Sequence, residues 1–147
     1  MAAYDNRIGR AYAGMIGNSR PGDGVTGIVE DAGGIGFGVA VFQGTGDKGI
    51  TKTPSAKFVG ITAADITLVH KAPNVDTYIK GENAGVRNGG TIWVVNGAAA
   101  VKPRDPVYIT PAGAFTNDDD AANFRANAAT FDTTAAPGAL VRISLSR

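Results

Sequence analysis

Gly44-Thr45-Gly46-Asp47-Lys48-Gly49 spells G-x-G-x-x-G directly after a β-prone run. In a dinucleotide site such glycines let the backbone approach a pyrophosphate, which a helix N-terminus then holds. Here Ile50-Thr51-Lys52-Thr53-Pro54-Ser55 follows, β-prone and stopped by proline. No helix stands behind the motif, so a β-turn is the expectation. Asn117-Asp118-Asp119-Asp120 is the one acidic cluster. Oxygen-rich clusters can hold calcium, but the EF-hand spacing with its central Gly and closing Glu is missing, and the reading is a solvated loop. His70 is the single histidine. It cannot build a two-histidine metal site, and between Leu68, Val69 and Lys71 it reads as a surface or partly buried side chain. No Gly-x-Ser-x-Gly elbow presents a serine. Asp105 with Asp76 or Glu82 could in principle form a carboxylate pair, but spacing alone does not bring them to glycosidase separation. Tyr78, Trp93, Tyr108 and Phe115 could stack on a sugar or a base, yet their positions inside strands make core packing the default. No catalytic constellation is complete. The expectation is a protein that is not an enzyme and takes no cofactor and no metal.

Composition narrows the class further. The 147 residues suffice for one domain with a real core. Charged residues are 18% of the chain, below the roughly 25% of an ordinary soluble domain. Such a surface suits a protein packed against neighbours. Glycine, at 21 residues, is about twice its usual share, which implies many tight turns or close backbone approaches. A net charge of +1 is far too small for a nucleic-acid footprint. There is no cysteine, hence no disulfide framework and no thiolate chemistry. The opening MAAYDNRIGRAYAG has no uninterrupted apolar run, so a signal peptide is not expected. No stretch reaches the roughly 20 apolar residues of a membrane span.

The elements that would position side chains are short strands. Residues 1–24 read as an arm, with Tyr4, Ile8, Tyr12, Met15 and Ile16 as sparse apolar anchors and Arg7, Arg10 and Arg20 between them. Their spacing is close to helical, but Gly9, Gly14 and Gly17 each weaken a helix by about 1 kcal/mol. Residues 25–147 read as a single β domain. Val25–Val29, Gly33–Gln43, Lys57–Ile61, Asp76–Lys80, Thr91–Val95, Val107–Thr110, Ala121–Asp132 and Val141–Leu145 are β-rich runs separated by turn signals. A single helical turn capped by Thr62 would follow the third of them. Asn96-Gly97 between apolar runs predicts a hairpin, and Trp93, the only tryptophan, is expected to anchor the local core. Phe124, Ala126 and Ala128 are expected on one face of their strand, and Val141, Ile143 and Leu145 on one face of theirs. Such strand spacing argues an all-β barrel or sandwich, β-tulip or jelly-roll-like, with an extended N-terminal arm.

One resemblance runs through most of the chain. Ala11-Tyr12-Ala13-Gly14-Met15-Ile16, Ile35-Gly36-Phe37-Gly38-Val39-Ala40-Val41 and Gln43-Gly44 are similar to the opening of the structural cement proteins of tailed phages. Phe58-Val59-Gly60-Ile61-Thr62, Gly90-Thr91-Ile92-Trp93-Val94, Asp105-Pro106-Val107-Tyr108, Gly113-Ala114-Phe115-Thr116 and Leu140-Val141-Arg142-Ile143-Ser144-Leu145 continue the likeness in order. Each piece is generic; their succession carries the resemblance. It implies a capsid decoration protein of the virion, a homotrimer on the outer surface of the head. There it would bind the major capsid protein at capsomer junctions and hold the shell against the pressure of packaged DNA. No nucleic acid or membrane would be a partner. Arg7, Arg10, Tyr12, Met15, Ile16 and Arg20 would form the capsid or subunit interface, and removing residues 1–24 would abolish shell binding and leave the β domain folded. The competing readings are another virion surface β module, such as a spike base or a glycan-binding domain, and a glycosidase-like β enzyme.

Overall fold

The structure, a computed structural model, describes residues 11–17, 23–65, 67–68, 70–71 and 74–146. Among them are twelve strands and no helix: β1 (Gly24–Val29), β2 (Ile35–Gly36), β3 (Ala40–Gln43), β4 (Gly49–Thr51), β5 (Phe58–Thr62), β6 (Thr77–Tyr78), β7 (Asn83–Arg87), β8 (Gly90–Val95), β9 (Pro106–Ile109), β10 (Phe115–Thr116), β11 (Phe124–Phe131) and β12 (Leu140–Leu145). The protein is all-β. Strands β1-β4-β3-β5-β7 close into a small barrel, β10-β9-β11-β12-β8 form an open five-stranded sheet, and β2 pairs with β6 as a two-stranded ribbon.

Two apolar clusters fill these layers. Val29, Ile35, Val41, Ile50, Tyr78, Ala84 and Val86 make the first, contributed by the barrel and the ribbon. The second joins Ile92, Val94, Val107, Ile109, Phe131, Val141 and Ile143 of the open sheet to Ala40, Phe42 and Ile61 of the barrel. Because side chains alternate along a strand, β3 sends Val41 into one cluster and Ala40 and Phe42 into the other. All three are almost completely buried, so β3 is a wall shared by both cores. Phe42 meets Phe58 and Phe124 edge-on, at centroid distances of 5.7 and 6.3 Å.

The alternation expected for β12 holds: Val141, Ile143 and Leu145 are buried against the core. Several local expectations are corrected. The run Gly33–Gln43 is two strands, broken at Phe37-Gly38-Val39. The predicted turn at Thr62 is absent; Thr62 closes β5, and its hydroxyl donates to Gly36 O and accepts Val39 N–H. Asn96-Gly97 does not make a hairpin. β8 pairs with β12 in a six-residue antiparallel register, and β9 lies elsewhere in the sheet beside β10 and β11. The buried Asn96 amide instead donates to Ala99 O and Ala136 O. Trp93 is half-buried, and the core face of β8 is carried by Ile92 and Val94.

In β11 the regular alternation fails at a bulge. Arg125 faces Tyr108 and Thr130 faces Pro106, so residues 126–129 of β11 lie between these pairs against Val107 alone on β9. Asn127 takes a positive φ of 50°. Beyond it Ala129 and Phe131 face the core while Ala128 is exposed. The extra residues leave carbonyls without ladder partners. Arg125 satisfies two of them, donating from Nη1 to Val107 O and Ala129 O at 2.8 Å each, with its guanidinium 5.2 Å from the Tyr108 ring centroid.

Candidate interaction surface

The open sheet ends on β8, and a bare strand edge invites pairing with another chain. Residues 11–17 cover it. Gly14 N–H donates to Trp93 O, Trp93 N–H to Met15 O and Gly17 N–H to Thr91 O, at 2.8, 2.8 and 3.0 Å. Ile16 sits opposite Ile92 in an antiparallel bridge. Gly14 O accepts Ala64 N–H at 2.9 Å, so one residue ties the open sheet to the end of the barrel strand β5. The near-helical spacing of the apolar residues is not realised as a helix here: Met15 N–H donates to Tyr12 O at 3.1 Å in a single turn, and Ile16 beyond it enters the β-bridge.

Glycine makes that contact feasible. Gly14 has φ +83° and Gly38 has φ +69°, and the two backbones touch: a Cβ on Gly14 would lie 2.7 Å from Ala64 N, and one on Gly38 would lie 2.7 Å from Gly14 N. Gly14 and Gly17, which weaken a helix in the sequence, are what let the segment lie close on the body. On this fixed backbone Tyr12 and Ile16 turn outward, 48% and 45% exposed, and Met15 is half-buried. Of the six residues predicted for the interface, Tyr12, Met15 and Ile16 are thus brought together. Arg7, Arg10 and Arg20 lie outside the described residues.

The residues with chemical promise are spent on local structure. The glycine motif is the turn between β3 and β4, and it already holds an anion, the carboxylate of Glu30. Thr45 N–H donates to Glu30 Oε2 at 2.9 Å, Gly46 N–H to Oε1 at 3.3 Å, and the Thr45 hydroxyl also donates to Oε1. A Cβ on Gly44 or Gly49 would collide with Glu30 Oε2, at 1.5 and 2.1 Å. Nothing in the sequence flags Glu30, since it reaches the turn only once β1 and β4 pair.

The Thr45 hydroxyl, helped by the backbone N–H groups of Gly46 and Thr45, holds the Glu30 carboxyl below its ordinary value of 4.5, against opposing contributions from burial and Asp31. A carboxyl depressed on folding contributes stability that is complete above the unfolded-state value and is lost as pH falls through the folded-state value. Glu30→Gln is therefore expected to be less stable than the parent near neutral pH, with the gap closing on acidification. Urea midpoints measured from about pH 7 to about pH 3 would show it, and a gap independent of pH would contradict it.

Asp105 accepts the Asn117 amide and the Lys102 N–H, at 2.9 Å each, and its carboxyl is held low by those bonds. Glu82 accepts the Ile79 N–H and contacts His70 Nε2 at 2.8 Å. Asp118 and Asp120 cap their own loop, accepting the N–H groups of Asp120 and Ala122. Among the described residues no group of three His, Cys, Asp or Glu is placed to hold a metal. Tyr78 and Phe115 are buried and so not available for stacking, while Tyr108 lies beside the Arg125 guanidinium and Trp93 beside the docked segment.

Comparison with known proteins agrees with this picture. A family model described as "Structural cement protein (E217 gp24/Pam3 gp6)" matches residues 2–146. Among solved structures, a chain from "The capsid of Myoviridae Phage XM1" superposes with a TM-score of 0.71 at 19% identity, covering 99% of this chain and 96% of that one. At that identity the likeness speaks for the fold. No curated protein matches the chain.

Proposed function

The chain belongs to the phage structural cement protein family, a non-enzymatic component of the phage capsid, and from that premise we propose that it binds the outer surface of the head at capsomer junctions and holds the shell against the pressure of packaged DNA. Residues 1–24 act as the arm and residues 25–147 as the β domain. The partner is the major capsid protein, and several copies, in the simplest arrangement a homotrimer, meet at each junction. Arg7, Arg10, Tyr12, Met15, Ile16 and Arg20 form the contact with the shell or with neighbouring copies.

The observation that carries this reading is the docked segment. Tyr12 and Ile16 are large, apolar and nearly half exposed, on a backbone held by hydrogen bonds to β8. Anchors fixed in advance lose little conformational freedom on binding, and contacts repeated over many copies on one shell reinforce one another. The family assignment also disfavours a glycosidase-like enzyme, and the buried Tyr78 and Phe115 disfavour a glycan groove.

The test is co-sedimentation of the purified protein with phage heads stripped of accessory proteins. Binding should saturate at a stoichiometry set by the number of capsomer junctions, and Tyr12→Asp with Ile16→Asp should weaken it at least about tenfold, a modest loss for two interface anchors. Failure of the parent protein to bind stripped heads would overturn the proposal.

A further inference from the structure

Beside the docked segment lies a groove of about 500 Å³. Its lining combines the apolar side chains of Tyr12, Phe37, Leu68 and Val75 with the carboxylates of Asp65 and Asp76. Val75 is 56% exposed, the largest exposure among the large apolar residues described. Asp65 accepts the N–H and hydroxyl of Thr67, which hold its carboxyl low and so keep it anionic. Asp76 is exposed on a turn with φ 51°.

We infer that this groove receives residues 1–10 of a second copy of the chain. The segment Met1-Ala2-Ala3-Tyr4-Asp5-Asn6-Arg7-Ile8-Gly9-Arg10 has the matching chemistry: Tyr4 and Ile8 for the apolar lining, Arg7 and Arg10 for Asp65 and Asp76. Length decides whose groove it is. Ten extended residues reach up to about 33–36 Å, more than twice the roughly 15 Å radius of gyration of a chain of this size. The groove lies next to Tyr12, so a segment of that reach would have to double back to use its own. A neighbouring copy lies within that reach if the segment runs outward. Each copy then gives a tail and receives one, and a head-to-tail contact of this kind gives a ring where the rotation between copies closes. The inference rests on the proposed function only in that several copies meet at one place.

Two variants test it without any capsid present. One lacks residues 1–10 and keeps the groove; the other, Val75→Arg, keeps the tail and places a positive charge where Arg7 and Arg10 must approach. Analytical ultracentrifugation should show the parent as an oligomer and each variant alone as a monomer, with far-UV circular dichroism unchanged because Val75 is exposed and the truncation keeps all twelve strands. Mixed, the two should form a one-to-one heterodimer in native mass spectrometry, one supplying the groove and the other the tail. A monomeric parent overturns the inference, as does either variant retaining the parent's mass. Absence of the mixed species also overturns it, because it returns the tail to its own groove or to the capsid protein. All three results leave the cement reading to stand or fall on co-sedimentation.

Discussion

Phe42→Ala is expected to cost about 3–5 kcal/mol, the usual range for deleting a fully buried aromatic side chain. Phe42 is 0% exposed and lies where the barrel meets the open sheet. Its ring touches Phe58 and Phe124 edge-on, contacts that add stabilisation beyond the buried area. Collapse into the resulting cavity is restricted on both sides, since β3 is hydrogen-bonded to β4 and to β5. The same strand supports the barrel interior through Val41, so the loss should fall on the whole molecule. Urea unfolding followed by the fluorescence of Trp93, the only tryptophan, and by far-UV circular dichroism should give one coincident transition, shifted to lower urea with its slope unchanged. Two separate transitions would show that the cores unfold independently. A loss below about 1.5 kcal/mol would place Phe42 outside the shared wall.

Gly14→Val is expected to release the docked segment and with it shell binding. The valine would carry a β-branched side chain at φ +83°, with its Cβ 2.7 Å from Ala64 N and 3.0 Å from Gly38 N. Undocking gives up four backbone hydrogen bonds, those of Gly14 to Trp93 and Ala64, of Trp93 to Met15 and of Gly17 to Thr91. At a net ~0.5–1.5 kcal/mol each, about 2–6 kcal/mol of local stability is at stake, while the two apolar clusters are untouched. The β domain should therefore stay folded and Trp93 should move to a wetter environment. Binding to stripped heads should weaken by at least about tenfold, which corresponds to only about 1.4 kcal/mol. The freed edge of β8 should also make the variant more prone to self-association. Gly33→Ala is the control, since a Cβ there meets nothing within 4 Å. Parental binding by Gly14→Val would remove the docked segment from the capsid contact.

The docked segment also refines what a truncation can tell. Removing residues 1–24 deletes the docked segment over β8 together with whatever residues 1–10 contact, so two effects would be confounded. Removing residues 1–10 leaves Gly14 and Gly17 in place on Trp93 and Thr91 and separates them.

Much of the architecture was legible from residue order. Two-residue alternation in Val141, Ile143 and Leu145, and the turn residues between apolar runs, were enough for an all-β reading. The ordered succession of short segments pointed to the cement family. The missing catalytic constellations already argued against an enzyme. What alternation reports is the face a side chain takes; it is silent on which strand lies alongside. Strand partners are chosen by packing across long stretches of chain, so β8 joined β12 where Asn96-Gly97 had suggested a local hairpin. For the same reason Trp93 became the neighbour of the arm, with Ile92 and Val94 carrying the core face. A positive φ at Asn127 shifted Ala129 and Phe131 onto the core face in place of Ala128, and no period-two count foresees a bulge. Glu30 in the glycine turn and Gly14 against Gly38 are contacts between residues 14 to 24 positions apart. Only folding brings such residues together, because each needs a backbone approach that the local sequence permits but does not select.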